Sequence, residues 1–192
     1  MIFVPRNYQR NLWDYMLKPG LRKRASVRWH RRAGKDLTAI SLIAEMAKKR
    51  IGDYWHLFPE GTQGRRIAWE GMTDGKVDRE TGEPITQGIP FLDFISPVNA
   101  DGERPEEKSR NNQNMKLRLN CGSSYQVLPA NRDSLVGGNP LVVVFSEWSI
   151  MDPDAWEFIR PILTGNKGAA IFIGTPRGNN HAAKMHSMAV KS

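Results

Sequence analysis

Cysteine is nearly missing from this chain, with Cys121 the single one in 192 residues. One thiol cannot build an internal disulfide framework, and such usage suits a reducing compartment. Cys121 reads as a small buried or turn residue. Long hydrophobic runs are missing too. No apolar segment approaches the ~18 residues of a membrane-spanning helix. The N-terminal MIFVPRNYQR lacks the apolar stretch of a signal peptide. The four histidines show no metal-ligand spacing. His30 falls in a basic loop, and the others read as solvated or packed. Acids are in short supply, 20 against 28 basic residues, for a net charge of +8. The shortage is sharpest from Arg6 to Lys35, where ten cations meet one acid, Asp14. That run is either a solvated face or a surface for phosphates, of a nucleotide or of a nucleic-acid backbone.

What is present is ordinary for a globular domain, 40% apolar and 25% charged residues. The length fits one domain. Spacing predicts a short helix over Arg6–Leu17, stopped by Pro19-Gly20, and a strand over Ala25–His30. An amphipathic helix follows over Lys35–Lys49, with Leu37, Ile40, Ile43, Ala44 and Ala47 on one face and Gly52 as its stop. Asp53–Phe58 reads as a strand and Gln63–Met72 as a helix. Thr73–Arg110 is rich in Gly, Pro and charge, and reads as an irregular, partly mobile excursion with an apolar island at Ile89–Ile95. Met115–Leu119 and Ser124–Leu128 read as strands joined by a turn, and Leu135–Asn139 as a Gly-containing loop. Leu141–Phe145 and Ala169–Ile173 are continuous apolar runs, the pattern of strands buried on both faces. Between them Asp152–Leu163 reads as a helix with Pro153 in its first turn and Asp152 as cap. The alternation gives an α/β fold with a mainly parallel central sheet flanked by helices. In such sheets ligands lie beyond the carboxyl ends of the strands. The six tryptophans read as core or subunit contacts.

Two strand ends carry chemistry. Trp29 to Asp36 (WHRRAGKD) lies between a predicted strand and a predicted helix. It keeps the Gly-Lys of a phosphate loop as Gly34-Lys35, with Trp29 at the usual first Gly and Asp36 at the usual Ser/Thr. A loop entering a helix N-terminus points free N–H groups and a positive dipole end at an anion. Lys35 would reach the β- and γ-phosphates, with Arg31 and Arg32 adding charge nearby. The second strand end is Phe145-Ser146-Glu147. Phosphate-loop ATPases usually end this strand in Asp-Glu, for metal and water; here Ser146 replaces the Asp. The two departures are complementary. A carboxylate stands in the loop and a hydroxyl on the strand, the reverse of the usual placement, and Mg²⁺ accepts either oxygen directly or through water.

The set HRRAGKD at His30–Asp36, VVVFSEW at Val142–Trp148, a helix containing Trp156, and IFIGTPRGNNH ending at His181 resembles the ATPase domain of the large terminase subunit of tailed bacteriophages. The resemblance runs in order from Tyr8 to about His181. It implies a RecA-like, additional-strand core over residues 1–181, with 182–192 a tail or the start of a linker. It implies Mg-ATP hydrolysis coupled to movement of double-stranded DNA into a capsid, in the host cytoplasm and transiently at the procapsid portal. It implies a homo-oligomeric ring, a portal protein and a small terminase subunit as partners, and no membrane. By position, Tyr8-Gln9 matches the adenine-reading element. His30, Arg31, Arg32, Ala33, Gly34, Lys35, Asp36 and Leu37 match the ATP-binding loop. Arg31 would sense the γ-phosphate, Lys35 is the phosphate lysine and Glu147 the catalytic acid. Asp36, Ser146 and Glu147 would hold Mg²⁺, and Thr175 matches the coupling motif. Arg132, Arg160 and Arg177 are candidates for an arginine supplied to a neighbouring subunit. Full-length members carry a further nuclease domain, which 192 residues leave no room for, so no DNA cleavage is expected of this chain. Two other readings stay open: a helicase-type nucleic-acid-dependent ATPase, and a basic DNA-binding module whose nucleotide site is degenerate.

Overall fold

In the computed structural model, residues 3–73, 76–77, 81, 84–86, 110–119 and 121–191 are described. The predicted apolar island at Ile89–Ile95 and most of the excursion lie outside them.

Two uniformly apolar strands demand cover on both faces, and the sheet provides it. Its strands are β1 (Arg24–Arg28), β2 (Asp53–Phe58), β5 (Arg110–Asn111), β6 (Lys116–Arg118), β7 (Ser124–Pro129), β8 (Pro140–Phe145) and β9 (Ala169–Gly174), in the order β1-β9-β8-β2-β7-β6-β5. β1, β9, β8, β2 and β7 run parallel, and β6 and β5 extend the sheet antiparallel. β9 lies between β1 and β8, the strand that leads into Ser146-Glu147. That is the additional-strand arrangement. Two short strands, β3 (Lys76–Val77) and β4 (Pro84–Thr86), pair separately.

Period-2 alternation sorts the side chains into two cores. On one face Tyr54, Phe58, Tyr125, Val142, Val144, Ile171 and Ile173 meet α1 (Asn7–Leu17) and α2 (Lys35–Lys49) through Leu12, Met16, Ile40, Ile43 and Ala47. On the other, Trp55, Leu57, Val143, Phe145, Ala170 and Phe172 meet Leu135, Trp148, Met151, Ala155, Ile159 and Leu163. The Lys23 ammonium ties the end of α1 to β1, donating to the carbonyls of Tyr15, Met16 and Lys18. Those carbonyls lack partners within the helix.

Several elements depart from the sequence reading. Leu37 is exposed rather than on the buried face of α2, because the helix turns it outward one turn from the loop. α2 ends at Arg50 in extended backbone. Gly52 is therefore not its stop; its lack of a side chain admits Leu141 instead. The helix expected over Gln63–Met72 begins as α3 (Gly61–Gly64) and continues as a π-helix over Arg65–Thr73. A short helix α4 (Arg132–Leu135), capped by the Asn131 side chain, precedes the expected loop and overlaps it only at Leu135. α5 spans Asp154–Gly165, with the Asp152 carboxylate accepting from the Asp154 N–H ahead of it. The expected tail is a helix, α6 (His181–Lys191).

Gly138 sits against the buried Trp55 indole, and a Cβ there would overlap the ring. Gly138→Ala should destabilise the fold by about 1–3 kcal/mol. Gly165→Ala, where a Cβ meets open space, should not. Denaturant midpoints of the two variants give the comparison; equal midpoints would contradict this packing.

Candidate functional site

The carboxyl ends of β1, β9 and β8 emerge side by side, and three polar segments follow them. After β1, the chain turns through His30–Ala33 and enters α2 at Gly34, whose φ of 70° is open to glycine at little strain. Gly34 brings no side chain to cap α2, leaving the first-turn N–H groups and the dipole facing the loop. The loop is anchored from behind by α1. Gln9, buried, donates from Nε2 to the Ala33 carbonyl at 2.9 Å and accepts the Arg6 N–H at 2.9 Å. The Tyr8 hydroxyl donates to the same carbonyl at 3.0 Å and packs edge-on against Trp29.

Lys35 lies at the centre. It is 7% exposed, yet its ammonium reaches all three segments. It donates to the Thr175 hydroxyl at 3.1 Å and to the His30 carbonyl at 3.4 Å, and sits 3.9 Å from Glu147 Oε1. Glu147 adopts a left-handed backbone at φ 53°, which turns the chain sharply out of β8. Asp36 and Ser146 also meet. The Ser146 hydroxyl donates to Asp36 Oδ1 at 2.7 Å. Burial raises the Asp36 carboxyl above its ordinary range, with Glu147 adding to the rise; the Ser146 hydrogen bond and Lys35 oppose it.

The structure thus brings together Gln9, Ala33, Lys35, Asp36, Ser146, Glu147 and Thr175. His30, Arg31 and Arg32 are exposed at the lip of the loop. Leu37 is likewise exposed. Arg132 on α4 stacks 5.9 Å from the Phe158 ring, Arg160 on α5 pairs with Glu157 at 2.9 Å, and Arg177 follows β9 in an exposed loop. Among the described residues none of these three arginines contacts Lys35, Asp36, Ser146 or Glu147.

His56 was not singled out in the sequence. It is fully buried on the α2 face of β2, between Tyr54 and Phe58. Its Nε2 lies 2.6 Å from Ser146 Oγ and its Nδ1 3.1 Å from the Tyr125 hydroxyl. The available signal was a lone imidazole inside the run YWHLF, which cannot be buried without polar partners. Burial drives its pKa down to about 3.

A cation would find two oxygen donors here, the Asp36 carboxylate and the Ser146 hydroxyl, beside a helix N-terminus suited to phosphate. Among the described residues no group of three His, Cys, Asp or Glu forms a metal cluster. The donor set fits Mg²⁺, which takes one or two carboxylates and fills its shell with water and phosphate oxygens. It does not fit a cation that needs an all-protein cage.

The buried imidazole sets the acid response. Unfolding restores an ordinary His pKa of 6.5, so between about pH 6.5 and 3 the unfolded state binds a proton that the folded state refuses. Stability rises with pH across that window and falls on acidification, at up to ~1.4 kcal/mol per pH unit for one proton. Asp36 acts with the opposite sign: its raised folded pKa favours the folded state at low pH, and this fades as pH rises. His56→Gln removes only the first effect. Denaturation at several pH values should show a shallower acid loss in His56→Gln than in wild type; parallel curves would contradict the burial of a neutral imidazole.

No protein-family model and no curated protein sequence matches the chain. Solved structures do, among them two of the large terminase ATPase domain of Thermus phage P74-26. A point mutant of that domain superposes with a TM-score of 0.60 at 19% identity, covering 95% of this chain and 69% of its own. The unmutated domain gives 0.57 at 19% identity with the same coverage. The chain therefore has the fold of a large terminase ATPase domain, a RecA-like α/β core with its additional strand, β9, between β1 and β8.

Proposed function

We propose that this chain is the ATP-hydrolysing motor domain of a DNA-packaging terminase, binding Mg-ATP at the carboxyl edge of its parallel sheet. The observation that carries the proposal is the meeting of Lys35, Glu147 and Thr175 from three separate strand ends. The α2 N-terminus and Lys35 would bind the β- and γ-phosphates. Glu147, 3.9 Å from the lysine, would orient the attacking water. Phosphate entering between them would draw Lys35 off Thr175, which links the γ-phosphate to the segment after β9. Asp36 and Ser146 would hold Mg²⁺, whose charge neutralises the phosphates when bound. Arg31 and Arg32, exposed on the loop, would sense the γ-phosphate, and Tyr8 and Gln9, which hold the loop through the Ala33 carbonyl, would read the adenine. Double-stranded DNA, a portal, a small terminase subunit and a ring of copies belong to this reading. So does an arginine donated in trans, for which Arg132 and Arg177 at the carboxyl edge suit better than the paired Arg160.

Nucleotide binding and turnover should separate. Lys35→Ala should weaken Mg-ATP binding at least about tenfold. Glu147→Gln should bind ATP but lose turnover by about 10²-fold or more. Wild-type turnover unaffected by either change would overturn the assignment. The exchange of carboxylate and hydroxyl has its own test. The double variant Asp36→Ser with Ser146→Asp should hydrolyse ATP faster than either single variant. A double variant no better than the worse single one removes the exchange.

A further inference from the structure

Four side chains from four elements form one buried line: Tyr125 on β7, His56 on β2, Ser146 at the end of β8 and Asp36 in the first turn of α2. Asp36 and Ser146 belong to the expected nucleotide site; Tyr125 and His56 lie behind it. Tyr125, His56 and Ser146 have no exposed surface, and His56 Nε2 also lies 3.9 Å from Asp36 Oδ1. Two strands therefore reach the site through hydrogen bonds alone.

Donors and acceptors along the line can be assigned from the carboxylate end. An ionised Asp36 can only accept, so the one hydroxyl proton of Ser146 goes to Oδ1. Ser146 Oγ must then accept from His56, which requires the proton on Nε2. Nδ1 is left bare and accepts from the Tyr125 hydroxyl. Every donor points towards the carboxylate. The opposite direction would need a protonated Asp36 and an Nδ1–H imidazole.

We propose that His56 and Tyr125 are positioning residues for the nucleotide site: Tyr125 fixes the Nε2–H tautomer of His56, which holds Ser146 as a donor to Asp36. The proposal rests on the ATPase reading for its consequence and on the hydrogen-bond line for its geometry. The line leaves one Ser146 lone pair, and the remaining acceptor capacity of the Asp36 carboxylate, for a cation and its waters. It also ties the rotamers of both residues to β2 and β7. Residues of this kind orient metal-binding groups without touching the metal, and their loss typically weakens the metal about 10–100-fold.

The test has two arms. In ¹⁵N-histidine-labelled protein without nucleotide, His56 should be the neutral Nε2–H tautomer near neutral pH. Tyr125→Phe should relax it towards a mixture while the circular dichroism stays that of wild type. An Nδ1–H or mixed tautomer in the wild type overturns the proposal. In the second arm, Mg²⁺ titrations of ATP turnover compare His56→Leu with His56→Gln, whose side-chain amide can still donate to Ser146. His56→Leu should raise the Mg²⁺ requirement about tenfold, with a smaller change in KM for ATP at saturating Mg²⁺, and His56→Gln should restore most of it. An unchanged requirement in His56→Leu, or equal losses in both variants, overturns it. Absence of ATP turnover in the wild type would sink the ATPase reading alone, because the tautomer arm is read without nucleotide.

Discussion

A strand buried on both faces has to release its first polar groups where it leaves the sheet, and β8 does so at Ser146-Glu147. Because β1, β9 and β8 are parallel neighbours, their exits fall together, and the N-terminus of α2 lies against the same edge. Everything proposed for the site depends on that constraint. Lys35 is held among Thr175, His30 and Glu147 by the register of three strands rather than by local chain geometry.

The electrostatics follow from the same packing. A buried ammonium is tolerable where carbonyl, hydroxyl and carboxylate surround it. The carboxyl of Asp36 is less comfortable, and burial raises its pKa despite the nearby cation. A bound divalent ion would relieve that strain, since it adds positive charge where a carboxylate is being desolvated. The hydroxyl of Ser146 contributes no charge. On the proposed reading, the exchange of residue types between loop and strand would keep a single negative charge where phosphate-loop enzymes keep one.

Much of this was legible in the sequence because it is local or periodic. The bounds of α2 over Lys35–Lys49 and of β2 over Asp53–Phe58 follow from spacing and from Gly and Pro punctuation. β8 and β9 declared themselves by uninterrupted apolar residues, and Lys35 and Glu147 by what precedes them. What was not legible is set by distance along the chain. The bonds joining His56 to Tyr125 and Ser146 span 69 and 90 residues, and nothing near His56 hints at either partner. The π-helical turn at Arg65–Thr73 has no periodic signature of its own. Leu37 matched the apolar face by spacing, but the loop before it sets the helix rotation and leaves it exposed. Gly52 looked like a helix stop and is a packing contact.

The central claim is that the strand exits of β1, β9 and β8 form a Mg-ATP site. A crystal structure of the protein with Mg²⁺, ADP and beryllium fluoride tests it most directly. The account predicts the γ-phosphate mimic within hydrogen-bond reach of Lys35 Nζ, the metal on Asp36 and Ser146 directly or through water, and Glu147 facing the attack position. Nucleotide bound elsewhere, or a fully loaded site with Lys35 still on Thr175 and Asp36 remote from the metal, would contradict it.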